Sequence, residues 1–182
     1  MPEVWAAFIE GKPGGEEALF RRFYTDLYRY ALRLTGDESG SRDLVQELFL
    51  RLLEKRAGLP AEVASPRGYL LRMLRNQMID GLRSDKIRTV DLEQGRVSLL
   101  VAKDRTMEQL WVARELATER TRKLSSALAG LSPAQREIVI LRFYQELSFE
   151  DIETLTGLRY QTIRNYLSRG LQRLRATFAE KE

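Results

Sequence analysis

The chain contains no cysteine and no histidine. These two absences exclude disulfides, thiolate nucleophiles, Cys/His zinc sites, and every Ser-His-Asp or Cys-His triad. Nowhere is there an apolar run of about 18 residues, the length a bilayer-spanning helix requires. The opening stretch MPEVWAAFIEGKPGG lacks the basic segment of an export signal. Together these predict a soluble, cytoplasmic protein with no membrane insertion, no metal site, no cofactor and no His- or Cys-based catalysis. Charge of one sign is also in short supply. Thirty Lys+Arg face 26 Asp+Glu, leaving only +4 although 31% of residues are charged, so the sign has to be read segment by segment. What the 182 residues do have is 43% hydrophobic content, enough for a buried core and too much for global disorder.

The apolar spacing is helical almost throughout, and the five prolines fall at predicted helix starts or in loops, which predicts an all-α protein. A short first helix ends near Gly11. Phe20, Phe23, Leu27, Ala31 and Leu34 form the apolar face of the next, stopped at Gly36. Ser39 or Ser41 is the expected cap of a third, carried by Leu44, Val45, Leu48, Phe49, Leu52 and Leu53. After the loop RAGLPAEVA, Ser65 and Pro66 open a helix through Tyr69, Leu70, Met73, Leu74, Met78 and Leu82. Residues 87–106 lose helical periodicity around the patch Val97, Leu99, Leu100 and Val101, and so long a connection reads as a linker between two small helical domains, 1–86 and 107–182. In the second, Ser132-Pro133 starts a helix through Ile138, Val139, Leu141 and Phe143, and Ser148 with Asp151 forms a capping box.

The strongest physical signal lies near the C-terminus. A short capped helix from Ser148 to Thr156, a turn at Gly157-Leu158 and a second amphipathic helix from Tyr160 make a helix-turn-helix. Ile163, Leu167, Leu171, Leu174 and Phe178 form the expected buried stripe of the second helix. From Arg159 to Arg175 there are five arginines and no acid, more positive charge than the whole chain's net value. That is a nucleic-acid footprint. In a helix-turn-helix the first turns of the second helix reach base edges, which points to Gln161, Arg164, Asn165 and Ser168 as readers, with Thr162, Arg169 and Arg173 suited to phosphate oxygens.

The stretch from Leu131-Ser132-Pro133 to Arg175 resembles region 4, the promoter −35-reading domain, of the sigma-70 family. Within it Thr162-Ile163-Arg164-Asn165 replaces a commoner Thr-Val-Lys-Ser, and Gly170 stands where the family often has alanine, which should soften the helix without changing its surface. A second, independent match lies upstream. Arg42-Asp43-Leu44-Val45-Gln46-Glu47-Leu48-Phe49-Leu50-Arg51-Leu52 resembles region 2.2 of the extracytoplasmic-function (ECF) sigma factors. The resemblance implies that Asp43, Gln46, Glu47, Leu50 and Arg51 bind core RNA polymerase at the clamp of its largest subunit.

Gly68 to Arg83 resembles regions 2.3 and 2.4. Arg67, Arg72, Arg75, Arg83 and Lys86 against Asp80 and Asp85 leave this helix at +3, suited to tracking an opened strand. The resemblance implies −10 contacts by Arg67, Arg72, Arg75, Asn76 and Arg83, although Asn76 could equally serve as a hydrogen-bonding residue of the core. The loop 56–65 occupies the place where the family captures a flipped base, yet it contains no aromatic platform. Ser65-Pro66-Arg67 and Arg164-Asn165 resemble the iron-citrate-regulator type, whose partners are membrane-spanning anti-sigma factors.

The resemblance implies a sigma factor that lends core RNA polymerase its choice of promoter DNA, with an anti-sigma factor as a further partner. The alternative is a dimeric helix-turn-helix regulator that acts without polymerase. An enzyme fits poorly: Gly11-Lys12-Pro13-Gly14-Gly15 lacks the GxxxxGK(S/T) spacing and preceding strand of a phosphate-binding loop.

Overall fold

A computed structural model describes residues 2–85, 124 and 126–179, which consist of helices and their connections without a strand. The expected linker 87–106, its patch Val97 to Val101, and residues 107–123 of the expected second domain lie outside the described residues. Four helices make the N-terminal half: α1 (Pro2–Ile9), α2 (Gly15–Thr35), α3 (Glu38–Glu54) and α4 (Pro66–Asp85), with a single 3₁₀ turn at Arg56–Gly58. The C-terminal half contains α5 (Pro133–Val139), a π-helical turn (Ile140–Tyr144), α6 (Phe149–Thr156) and α7 (Tyr160–Ala179).

Local chemistry explains most of the boundaries. Gly36 takes the left-handed conformation at φ 74° and donates its N–H to the Leu32 carbonyl, ending α2. The start of α3 differs from expectation, because Asp37 is its N-cap residue. Ser41 lies one turn inside, fully buried, where its hydroxyl shares a 3.0 Å hydrogen bond with Thr35 Oγ1. A serine in this position ties the start of α3 to the end of α2 instead of capping. Ser65 does serve α4, accepting from the Gly68 N–H at 3.1 Å. Ser132 and Gln135 form a reciprocal capping box on α5, with Pro133 in the first turn.

The two halves share one apolar cluster. Tyr30, Ala31 and Leu34 of α2 and Leu70, Leu71 and Leu74 of α4 belong to the same buried group as Ile138, Ile140, Leu141, Ile152 and Ile163. Each leucine or isoleucine among them taken out of water contributes about 1.5–3 kcal/mol. A smaller cluster of Leu128, Leu131 and Val139 packs with Leu167 and Leu174 of α7.

Four of the apolar positions placed on helix faces are exposed, Leu53 and Phe143 among them, and Leu167, Leu171 and Leu174 of the expected buried stripe are only half-buried. Phe20 is 40% exposed and Phe178 is 42% exposed. Phe178 lies in the final turns of α7. Gly170 is buried instead, and a Cβ there would come within 3.2 Å of Val139 Cγ2. Its role is therefore a close crossing of α7 over α5, and not only a softening of the helix.

Gly15 is the tightest approach in the N-terminal half: a Cβ at this position would lie 2.7 Å from the Ala7 carbonyl oxygen. Because that neighbour is backbone, α1 would have to shift bodily. Gly15→Ala is expected to destabilise the chain by about 1–3 kcal/mol, measured by urea unfolding followed by circular dichroism.

Candidate nucleic-acid and polymerase interfaces

The helix-turn-helix is built from paired local bonds. Ser148 Oγ accepts from the Asp151 N–H at 3.0 Å, and the Ser148 N–H donates to Asp151 Oδ2 at 3.2 Å, closing the capping box of α6. Gly157, at φ 72°, ends α6 by donating to the Glu153 carbonyl. The conformation is left-handed, which is why a glycine is needed. The Glu153 carboxylate then accepts the Tyr160 N–H at 2.6 Å, which joins the supporting helix to the first turn of α7. Ile152, Leu155 and Ile163 bury the inner sides of both helices.

This packing leaves the other face of α7 in solvent. Gln161, Arg164, Asn165, Ser168, Arg169 and Arg173 are all exposed, and Thr162 is half-buried. Gln161 Nε2 donates to Asn165 Oδ1 at 3.2 Å, and Arg164 lies over the Tyr160 ring, 5.8 Å from its centroid. Tyr160 in turn meets Phe149 edge-on at 5.2 Å. Sequence reasoning did not single out Tyr160; its place four residues before Arg164 on one helix face was the available signal.

A second surface follows α3. Asp43, Gln46, Glu47, Leu50 and Arg51 are all exposed, and Leu50 stands 59% open to solvent. Arg51 pairs with Glu47, whose carboxylate also accepts from Gln77 Nε2 at 2.8 Å. Beside this face Phe8, Leu19, Phe20, Phe49 and Leu53 line an apolar groove edged by Glu16 and Glu17. Charged side chains flanking exposed leucines suit a protein partner.

The α4 residues divide. Arg72 and Asn76 are exposed, so Asn76 is not a core residue. Arg83 lies on α4, and its side chain is outside the described residues. Arg67 is partly buried: Nε donates to Asp26 Oδ2 at 3.2 Å, Nη1 to the Gln145 carbonyl at 2.6 Å, and Nη2 to Gln145 Oε1. Arg75 is 4% exposed. Its Nε donates to Glu137 Oε1 at 2.6 Å and its Nη2 to Glu137 Oε2 at 3.3 Å. Tyr30 donates its hydroxyl to the same Glu137 Oε1 at 3.1 Å.

Burial alone would lower the Arg75 pKa, but the hydrogen bond and charge of Glu137 outweigh it and the net shift is upward. Burial, with Glu137 adding to it, pushes the Tyr30 hydroxyl well above its ordinary value. Tyr30 therefore stays a donor at physiological pH. Asp26, Glu137 and Gln145 were not legible as partners, since they lie 41, 62 and 78 residues from the arginines they hold, and Tyr30 lies 107 residues from Glu137. The loop 56–65 gains an aromatic neighbour in the same way. Trp5 Nε1 donates to the Pro60 carbonyl at 3.1 Å and its ring meets Tyr69 edge-on.

Residues 19–87 match the family model for sigma-70 region 2, and residues 121–174 match that for sigma-70 region 4. The chain is 31% identical over 178 residues to the ECF RNA polymerase sigma factor SigL of Mycobacterium tuberculosis, covering 96% of this chain and 97% of that one. It is 30% identical over 165 residues to the ECF sigma factor SigE of Mycolicibacterium smegmatis, covering 90% of this chain and 62% of that one. Among solved structures, CnrH in complex with the cytosolic domain of CnrY has a similar fold, with TM-score 0.68, 17% identity and coverage of 100% and 98%. The sigma factor RpoE from Bartonella quintana, in complex with the anti-sigma factor NepR, gives TM-score 0.60, 23% identity and coverage of 85% and 91%.

The capping box is the most local of the supports beneath the basic face. Ser148→Ala should cost about 1 kcal/mol, read as a lowered urea midpoint with the slope unchanged.

Proposed function

The chain belongs to the ECF group of RNA polymerase sigma factors, proteins that bind core polymerase, direct it to promoters and catalyse no reaction themselves, and from that membership we propose which of its surfaces does what. Residues 1–86 bind core polymerase and the −10 element, 87–106 span between the halves, and 107–182 bind the −35 element. The observation that carries this division is the exposed, acid-free basic face of α7, set on a capped helix-turn-helix. Two family matches in sigma order also leave the dimeric regulator without support.

On α7, Arg164 offers a forked donor suited to guanine O6 and N7, and Asn165 and Gln161 suit adenine. Ser168 and Thr162 supply short hydroxyl contacts near the same turns. Arg169 and Arg173 lie further along and neutralise phosphates. On α3, the clamp of the largest polymerase subunit meets Asp43, Gln46, Glu47, Leu50 and Arg51, with Leu50 as the apolar centre. On α4, Arg67, Arg72, Arg75, Asn76 and Arg83 follow the opened −10 strand.

CnrH and RpoE are each seen with a partner, CnrY and the anti-sigma factor NepR. An anti-sigma factor is accordingly a third partner of this chain, and the likeness of Ser65-Pro66-Arg67 and Arg164-Asn165 to the iron-citrate-regulator type would make it a membrane-spanning one. The place of action is the cytoplasm, where core polymerase and promoter DNA are. Among the described residues no helix is long and apolar enough to cross a membrane.

Run-off transcription with core polymerase tests the reading as a whole: a promoter-specific transcript is expected, and its absence together with failure to pull down core polymerase would refute it. The division of labour on α7 is tested separately. Arg164→Ala should cost roughly 1 to 3 kcal/mol and relax one −35 position, whereas Arg173→Ala should weaken all sequences alike and flatten the salt dependence. Equal specificity profiles for the two variants would refute the assignment.

A further inference from the structure

Arg164 differs from the other arginines of α7 in what lies beneath it. Among the described residues it is the α7 arginine set over an aromatic ring, its Cζ 5.8 Å from the centroid of Tyr160. Helical side chains lean back over the preceding turn, so a residue four places earlier is the one it can cover. Tyr160 is 45% exposed, yet the supporting helix holds it at two points. Its N–H donates to the Glu153 carboxylate at 2.6 Å, and its ring meets that of Phe149 edge-on at 5.2 Å. Phe149 in turn has the Arg142 guanidinium 5.1 Å from its centroid, and Arg142 Nη1 donates to the Leu147 carbonyl at 2.7 Å. These contacts form a row, Arg142, Phe149, Tyr160 and Arg164, that runs from the π-helical turn across α6 to the outer face of α7.

We propose that Tyr160 is the positioning residue for Arg164, holding the guanidinium where it meets guanine and so setting how strictly one base pair of the −35 element is read. This rests on the assignment of Arg164 to a base. Attraction between a cation and a ring uses no N–H, so the donors in the guanidinium plane stay free for O6 and N7. A hydrogen-bonded anchor would consume them, as Gln145 and Asp26 do those of Arg67. Forming two bonds to one base also demands a fixed direction, and ordering a long side chain only at the moment of binding weakens the complex. An arginine that neutralises a phosphate meets a lesser demand, and Arg169 and Arg173 have that role. Without the ring, Arg164 would pay the ordering cost against guanine, whereas bases that it does not grip would bind as before.

The test uses the full chain assembled with core polymerase and a promoter duplex that supports run-off transcription, with each −35 position changed in turn to the other bases and affinities measured at fixed salt. Arg164→Ala first identifies the position that Arg164 reads. Tyr160→Leu, which keeps an apolar side chain but removes the ring, should lower discrimination at that same position by roughly two- to five-fold. The other −35 positions and the salt dependence should stay as in the parent. Tyr160→Phe, which keeps the ring, should restore the parent profile. In the Arg164→Ala background, Tyr160→Leu should have no further effect. The bond from Tyr160 to Glu153 is made by the backbone N–H and is therefore present in every variant.

If Tyr160→Leu fails to fold by circular dichroism, Tyr160→Met decides the matter. A loss that falls equally on all bases would overturn the proposal, because a ring that merely supports the helix has no base preference. So would equal losses in Tyr160→Phe and Tyr160→Leu, which would mark the hydroxyl as a DNA contact in its own right. A parent-like profile in Tyr160→Leu, with one position relaxed in Arg164→Ala, sinks the positioning role and leaves Arg164 as a reader. No relaxed position in Arg164→Ala instead refutes the reader assignment, and the proposal with it.

Discussion

A carboxylate wholly removed from water has to be met by donors fixed in place, because an unpaired buried charge costs several kcal/mol. Glu137 meets this condition entirely outside its own half of the chain, in Tyr30 of α2 and Arg75 of α4. The relative position of the two halves follows from that demand. Apolar side chains such as Leu74 and Ile138 would be buried in many nearby arrangements, since burial is non-directional. A bidentate pair with a third donor on the same oxygen tolerates far fewer. Directionality comes from three polar groups, and the apolar cluster around them supplies most of the adhesion.

That constraint divides the basic residues into two populations that composition cannot separate. On α7 the arginines point to solvent, and their charge is available to any polyanion that approaches. On α4, Arg67 and Arg75 lie within an internal pairing scheme. Arg136 extends the pattern, since it donates to the carbonyls of Leu128 and Ala129 and serves as a backbone clamp. A count of arginines measures electrostatic potential only where the guanidinium has nothing nearer to bond.

The same distinction sets what was legible in the sequence. Helix positions, the stops at Gly36 and Gly157, the caps at Ser65, Ser132 and Ser148, and the exposed face of α7 all depend on neighbours within four residues, so a reading of local pattern finds them. Both family resemblances rest on such short stretches too. What escaped it was long-range. The burial of Ser41 depends on Thr35 across a helix junction, and the crossing at Gly170 depends on Val139. Arg75 reads as a strand contact from its own helix, and only the approach of Glu137, 62 residues away, gives it a different partner. The aromatic setting of loop 56–65 was hidden for the same reason, because Trp5 arrives from the first helix.

The π-helical turn at Ile140–Tyr144 has the Gln145 N–H reaching back five residues to the Ile140 carbonyl at 3.0 Å. Such a turn is an α-helix with one residue inserted. Taking that residue out would restore regular winding but rotate everything beyond it by about 100°, one residue's share of a helical turn. Gln145 would then face away from Arg67, and α6 and α7 would swing round the axis of α5 with their basic face re-aimed. Side chains such as the exposed Phe143 can vary in this segment, but its length cannot. The spacing between Glu137 and Gln145 works as a fixed gauge, matched to the separation of Arg75 and Arg67 on the facing helix.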